Sequence, residues 1–98
     1  MKLRWSREAR AALTAYLDYL HAAAPAVTRV AKNAIRQEAR GLGRRPFKAR
    51  ESRWPGLREW SLPRWKKLLV LRIDPEEVVI LAFLDARQDL RKIIPKDD

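Results

Sequence analysis

Seven consecutive apolar residues, Val78 to Leu84, form the densest hydrophobic run in the chain. A strand with apolar side chains on both faces has to be covered on both sides, as the central strands of a sheet are. The run is too short to cross a bilayer, because a spanning helix needs about 20 apolar residues. The chain is therefore expected to build a sheet around residues 77–84, with other elements packed against it.

Two amphipathic helices are predicted before that strand. The first follows Ser6, a residue type favoured at helix N-caps, and its apolar residues recur with helical spacing. The second begins at Pro25, which suits the first turn of a helix, and carries its own apolar stripe. Gly41 and Gly43 are expected to end it, because glycine is favoured just past a helix C-terminus. The two helices form a hairpin.

Three further strands are predicted. Residues 2–5 alternate between charged and apolar side chains, which indicates a short strand with one buried face. Residues 57–62 and 66–73 also have the character of strands, and Pro63 interrupts the chain between them. Residues 43–56 show neither a helical nor a strand period and are expected to form an exposed connecting loop.

The predicted order of elements is β-α-α-β-β-β, in a single domain that spans residues 1–98. The helical hairpin needs an apolar surface to cover, and the sheet supplies one. The expected fold class is α+β: a two-layer domain with a helical hairpin packed on a small, mainly antiparallel sheet. The charged end, Lys96 to Asp98, is expected to fray.

Positive charge is concentrated in one part of the chain. Lys and Arg number 22 against 12 Asp and Glu, so the formal net charge is +10. From Arg40 to Arg72 there are eleven basic and two acidic residues, a net charge of +9. Such a field on a small domain indicates a polyanionic partner, whether nucleic acid, an acidic protein or an anionic membrane. The alternative is a solvated surface that serves solubility.

The residue types that are absent restrict the chemistry. The chain has no cysteine and one histidine, His21, so neither a disulfide framework nor a zinc site built from several imidazoles is possible. The N-terminal segment is charged and no apolar segment follows it, so we expect no signal peptide. The sequence thus predicts a cytoplasmic protein without metal, cofactor or membrane partner.

Three segments in succession resemble the RelE/ParE superfamily, the toxins of type II toxin–antitoxin systems. RWSREARAALTAYLDYL resembles that family's first strand, helix cap and first helix. LREWSLPRWKKLLVLRI resembles its next two strands, with Arg58 and Trp60 in an Arg-x-Trp pattern. VVILAFLDARQDL resembles its last strand and exit. The resemblance covers nearly the whole chain.

The resemblance implies a toxin of the ParE-like branch, which inhibits DNA gyrase and is neutralised by a cognate acidic antitoxin in a hetero-oligomeric complex. Two positions depart from the family pattern: Asp85 replaces a usual histidine, and Leu71-Arg72 replaces a usual Tyr-Arg. Ribonuclease members can use both lost groups near the scissile phosphate. These departures therefore favour an inhibitor that needs no catalytic residues.

Two alternatives stay open from the sequence. One is a ribosome-dependent mRNA endonuclease of the RelE branch, in which cations would bind the phosphate and Asp85 would be the nearby base. Its candidate catalytic residues would be Arg58, Lys66, Arg72, Asp85 and Arg87. The other alternative is a nucleic-acid-binding module without enzymatic activity.

Arginine is the residue type best suited to the expected partners, because its planar guanidinium donates two parallel hydrogen bonds to a phosphate or carboxylate. In the sheet of that family, the positions of Arg58, Arg72 and Arg87 can converge on one face. Pairing of each arginine with a carboxylate of the chain is the alternative.

Aromatic residues lie among the basic ones and offer contacts for a partner. Trp5 and Trp60 are expected in the core, whereas Trp54 and Trp65 are candidates for an interface. The predicted residues for binding a partner or target are Arg44, Arg45, Lys48, Arg50, Trp54, Arg58, Trp65 and Arg87. Tyr16 and Tyr19 are the predicted antitoxin contacts.

Overall fold

The computed structural model describes residues 1–97, which form two α-helices and one five-stranded sheet. In chain order the elements are β1 (Lys2–Trp5), α1 (Arg7–Ala23), α2 (Pro25–Arg44), β2 (Arg50–Glu51), β3 (Arg58–Leu62), β4 (Lys67–Ile73) and β5 (Glu77–Asp85). The strands lie in the order β1-β5-β4-β3-β2; β1 is parallel to β5 and the other pairs are antiparallel. The predicted α+β fold, with a helical hairpin on a mainly antiparallel sheet, is confirmed.

A β-bulge changes which residues of β5 face the helices. Val70 of β4 lies opposite Ala82, but the next residue, Leu71, lies opposite Ile80, so Leu81 has no partner of its own. An extra residue reverses the alternation of side chains along a strand. Ile80 consequently packs toward the helices, and Ala82 packs on the other face of the sheet.

The apolar residues form two separate clusters, one on each face of the sheet. The helix-facing cluster joins the buried sides of both helices to the sheet, through residues such as Leu13, Ile35 and Leu71. The opposite cluster is smaller and is covered by the segments around Trp54 and Ile93. The Trp54 indole Nε1–H donates to the Ile93 carbonyl oxygen at 2.7 Å. Non-regular segments therefore cover the face that the helices leave free.

The expectation that the C-terminus frays is wrong for Asp97. Its carboxylate accepts hydrogen bonds from Arg4 at 2.8 Å and from Arg72 at 3.2 Å, so it links β1 to β4. Asp98 lies outside the described residues.

Two further predictions about chain segments are wrong. Helix α2 continues through Gly41 and Gly43 and ends at Arg44. A Cβ atom on Gly43 would lie 3.2 Å from the Cβ of Leu3, so this glycine permits close packing of α2 on β1 instead of ending the helix. The expected loop over residues 43–56 includes β2, which adds a fifth strand beside β3.

None of the helices within residues 1–97 is long and apolar enough to span a membrane.

Candidate functional site

The sheet has a partly open edge at β3. The two residues of β2 pair only with Glu59 and Arg58. Beyond them, no other strand of the described chain pairs with this side of Trp60, Ser61 and Leu62. Free backbone groups along such an edge are a template for an additional strand.

One face of α2 lies beside this open edge. Val27, Val30, Ala34, Glu38 and Gly41 recur at intervals of three or four residues, which places them on one side of a helix. The side chains of Val27 and Val30 are 37% and 46% exposed, which is unusual for apolar residues on a helix of this domain.

A hydrogen bond joins that helix face to the edge strand. The Trp60 indole Nε1–H donates to Glu38 Oε2 at 3.1 Å, and the Lys48 ammonium lies 4.8 Å from the centre of the Trp60 ring. Lys48 follows α2 in a short 3₁₀ turn, Pro46–Lys48. Trp60 therefore lies at the open edge of β3 and contacts α2.

Two clefts meet at Lys48. One, of about 420 Å³, is lined by Ala34, Gln37, Glu38, Gly41, Arg44 and Lys48. The other, of about 210 Å³, is lined by Lys48, Arg50, Glu59, Trp60 and Ser61. We call these clefts, together with the adjoining Val27 and Val30, the edge groove.

Glu59 is the acidic residue that lines the smaller of these two clefts. Its side chain is 4% exposed, and its Oε1 accepts hydrogen bonds from Nε and a terminal nitrogen of Arg50 at 3.1 and 2.7 Å. Its other oxygen, Oε2, is buried and has no hydrogen-bond partner within residues 1–97. A buried acceptor without a partner is energetically costly.

The structure places the predicted binding residues in several different environments. Arg44, Lys48 and Arg50 line the edge groove, and Arg45 caps the end of α2 with its side chain exposed. Arg58 lies beneath the groove's 3₁₀ turn: it donates to the Ala49 carbonyl oxygen at 2.7 Å and stacks on Phe47 at 4.9 Å.

The four tryptophans lie in different environments. Trp5 and Trp60 pack against the core as expected, but Trp60 also faces the edge groove. Trp54 is held by its hydrogen bond to Ile93, and Trp65 packs against the helix-facing core beneath the Arg64 guanidinium. The most exposed aromatic ring of this region is Phe47, at 69%, which the sequence analysis did not single out.

Arg58, Arg72 and Arg87 do not converge, and the alternative of pairing with carboxylates holds for Arg72 and Arg87. Arg58 shares the helix-facing side of β3 with Trp60 and Leu62, while Arg72 lies on the opposite face of the sheet and binds Asp74 and Asp97. Arg87 follows Asp85, whose partner Lys67 lies five residues from Arg72 along β4, which is about 17 Å at 3.4 Å per strand residue. Strand alternation and length together separate them.

A polar corner lies where β5 ends beside α1. The Tyr16 ring is 5.7 Å from that of Phe83, and the Lys67 ammonium lies 4.5 Å from the Tyr16 ring centre. Burial raises the pKa of the Tyr16 hydroxyl. The second predicted antitoxin contact, Tyr19, is 67% exposed one helical turn away.

Asp85 and Arg87 form a bidentate pair at this corner. Nε and a terminal nitrogen of Arg87 donate to the two Asp85 oxygens, both at 3.1 Å. The side-chain hydrogen bonds of Arg87, with its backbone N–H, lower the pKa of Asp85 to about 2. A carboxylate with so low a pKa is a weak base for abstracting a proton at neutral pH.

Lys66, another residue named for a possible ribonuclease, has left-handed backbone dihedral angles (φ 55°) in the turn before β4. Its carbonyl oxygen accepts from the Ala86 N–H at 2.9 Å, so Lys66 and the Asp85–Arg87 pair are neighbours, whereas Arg58 and Arg72 are distant from them. Across residues 1–97 no three acidic or histidine side chains gather as ligands of a metal ion.

Comparison with known proteins identifies the family. The family described as the ParE toxin of the type II toxin-antitoxin system, parDE, matches residues 3–90. A chain of the solved "Chromosomal ParDE TA system from P. aeruginosa" is 28% identical, with 89% of this chain and 97% of that chain covered and a TM-score of 0.81. Among curated proteins none matches significantly. The chain therefore belongs to the ParE toxin family of type II toxin–antitoxin systems.

Proposed function

We propose that this ParE toxin inhibits DNA gyrase and that a cognate acidic antitoxin neutralises it by occupying the edge groove. The observation that carries the second part is the open strand edge, which the Trp60–Glu38 hydrogen bond joins to the helix face that also carries the exposed Val27 and Val30. An antitoxin segment has two ways to bind there, by extending the sheet along Trp60–Leu62 or by laying an apolar helix face on Val27 and Val30.

The charge of the groove favours an acidic segment. Arg44 and Lys48 line it without a carboxylate within 4.0 Å among residues 1–97, and the chain carries a net charge of +10. Acidic side chains of a partner would steer association and set the orientation of the bound segment.

Inhibition by binding is favoured over RNA cleavage by the distribution of the candidate catalytic residues. Cleavage by attack of a 2′-hydroxyl requires a base, an acid and cations around one phosphate. Here Arg72 is bound to Asp74 on one face of the sheet, and Asp85 is held ionised by Arg87 at the far end. No such grouping is needed for a protein that acts by holding gyrase.

The target is tested by expressing the toxin briefly and following DNA and RNA from the same cells. We expect stalled replication and covalent gyrase–DNA complexes, while the ends of bulk mRNA remain unchanged. Purified toxin should likewise inhibit supercoiling by purified gyrase. Early cuts in translated mRNA, phased with codons, together with unimpaired supercoiling, would contradict the proposal and favour the endonuclease.

A further inference from the structure

The two sides of α2 differ in character. Opposite the edge groove, Arg29, Lys32, Arg36 and Arg40 recur at intervals of three, four and four residues, so they share one side of the helix. All four side chains are exposed. The only carboxylate of α2, Glu38, lies on the groove side and is bonded to Trp60.

Arg10 of α1 extends this row of cations. It lines a cleft of about 290 Å³ together with Arg36 and Arg40, and a second cleft of about 400 Å³ together with Lys32 and Arg36. We call Arg10, Arg29, Lys32, Arg36 and Arg40 the basic flank. Asp18 is the only acidic residue that lines either cleft.

The cations of the basic flank have no partners within the described chain. Six other arginines form ion pairs, namely Arg4, Arg50, Arg53, Arg72, Arg87 and Arg91. In residues 1–97, by contrast, no carboxylate lies within 4.0 Å of any member of the basic flank. Five unpaired charges on one surface create a local positive field that attracts an anion.

We propose that the basic flank binds the phosphate backbone of duplex DNA. Its four α2 cations span about 16 Å at 1.5 Å per residue, a length over which one DNA strand presents about five phosphates. The exposed residues next to these cations on the ridge of α2 are Asn33 and Gln37, and amide side chains also donate to phosphates.

An acidic protein is the less suitable occupant of this surface. Protein interfaces have an apolar centre, and the exposed apolar residues of α2, Val27 and Val30, lie on the opposite side of the helix. The basic flank and the edge groove are therefore separate surfaces. DNA and an antitoxin can occupy them at the same time, and this binding of DNA requires no gyrase.

The test measures how strongly purified full-length toxin binds a fluorescent DNA duplex of random sequence over a range of salt concentrations. Removing Arg36 and Arg40 together (Arg36→Ala with Arg40→Ala) should weaken binding at least tenfold at low salt. It should also reduce the slope of log affinity against log salt by about 1.8, because each lost phosphate contact contributes about 0.9.

The matched control removes the same charge elsewhere: Lys92→Ala with Lys96→Ala, two exposed lysines of the C-terminal segment. This variant should leave the slope nearly unchanged, and circular dichroism should show both variants folded.

Equal losses of DNA affinity in both variants would assign binding to the overall charge and overturn the proposal. So would wild-type toxin that fails to bind DNA at low salt, or toxin that binds polyglutamate more tightly than DNA and loses that binding when Arg36 and Arg40 are replaced. Gyrase is absent from the assay, so failure here leaves the proposed target standing.

Discussion

Single residues act in this fold through neighbours that are far away in sequence. Ser6 is 1% exposed; its hydroxyl accepts from the Ala9 N–H at 3.1 Å and donates to the Leu81 carbonyl oxygen at 3.0 Å. One side chain therefore caps α1 and binds the unpaired residue of the β5 bulge. The cap was predictable from the sequence, because Ser before a helical stripe is a local signal. The bond to Leu81 was not, because it depends on strand register.

Gly43 and Gly41 provide a matched pair of substitutions inside α2. Alanine favours a helix interior over glycine by about 0.5–1 kcal/mol. At Gly41 the new methyl group would meet only the mobile ammonium of Lys48, at 3.3 Å, so Gly41→Ala should raise the free energy of unfolding by about that amount.

At Gly43 the methyl group would lie 3.2 Å from the Cβ of Leu3, which is fixed to the backbone of β1. Overpacking of this kind costs about 1–3 kcal/mol, so Gly43→Ala should be less stable than Gly41→Ala by about that much. Urea denaturation of both variants measures the difference. Equal stabilisation of the two would show that β1 yields to the helix and that close packing is not the reason for Gly43.

Among the elements, those with an extended signal in the sequence were predictable. Both helices and β1 follow from regular periods, β5 follows from its apolar run, and β3 and β4 follow from their strand character; the order of these elements gives the fold class. By contrast, β2 has two residues, too few for any period, and it exists because Arg50 and Glu51 pair with β3. The sequence places the end of α2 wrongly, because glycine is favoured just past a helix C-terminus. Gly43 instead allows α2 to contact β1.

The candidate site was predictable in its residue types and not in its geometry. The basic loop residues Lys48 and Arg50 were named from charge and do line the edge groove. The faces of Arg58 and Arg72 depend on strand register, which single-sequence patterns leave undetermined. Helical spacing also places Arg29, Lys32, Arg36 and Arg40 off the apolar stripe of α2, so the basic outer face of this helix is predictable from the sequence alone.

The C-terminal segment is an element whose attachment should depend on pH. Hydrogen bonds from Arg4 and then Arg72 lower the pKa of the Asp97 carboxyl from 3.8 to about 2. A lowered pKa means that the contact stabilises the attached segment above pH 3.8 and is lost as the pH falls toward 2. We therefore expect the segment to detach in this acidic range and to stay attached at neutral pH.

Hydrogen exchange of the Trp54 indole N–H measures this attachment, because that group donates to Ile93 in the same segment. Protection should fall between about pH 4 and pH 2, and Asp97→Asn should lower it at neutral pH. Asp85→Asn is the control, since Asp85 has a similarly low pKa but bonds to Arg87 at the other end of the sheet. If Asp97→Asn leaves protection unchanged, the contacts of Ile93 hold the segment without the ion pairs.

At the scale of the whole molecule, α2 separates two surfaces of different chemistry. The edge groove has exposed valines and an open strand, and the basic flank has unpaired cations. If the antitoxin binds the first surface and DNA the second, a substitution on either side should affect one ligand alone. The edge groove is tested by Val30→Lys, because Val30 is 46% exposed and its replacement disturbs little of the core.

A lysine at position 30 would place a charge where the antitoxin is expected to bury an apolar surface. Full burial of a valine is worth about 1.5–3 kcal/mol, and Val30 is 46% exposed, so losing the burial of that part costs roughly half as much. Burying the lysine charge adds to this cost, so the affinity for the antitoxin encoded beside the toxin should fall about tenfold. Asn33→Lys adds the same charge on the solvent ridge of α2. Its antitoxin affinity should stay within about threefold of that of the unchanged toxin, because exposed substitutions away from a contact have small effects. Titration calorimetry measures the affinities, and thermal melts check that both variants fold.

The same two variants should behave differently toward DNA. Asn33→Lys brings a further cation beside Arg29 and Arg36 and should strengthen DNA binding, whereas Val30→Lys, on the other side of α2, should do so less. Loss of antitoxin affinity in Val30→Lys alone, together with a larger gain of DNA affinity in Asn33→Lys, would place the two ligands on opposite sides of one helix. If Val30→Lys binds the antitoxin as tightly as the unchanged toxin does, the antitoxin docks elsewhere, and the corner formed by Tyr16 and the exposed Tyr19 becomes the surface to vary next.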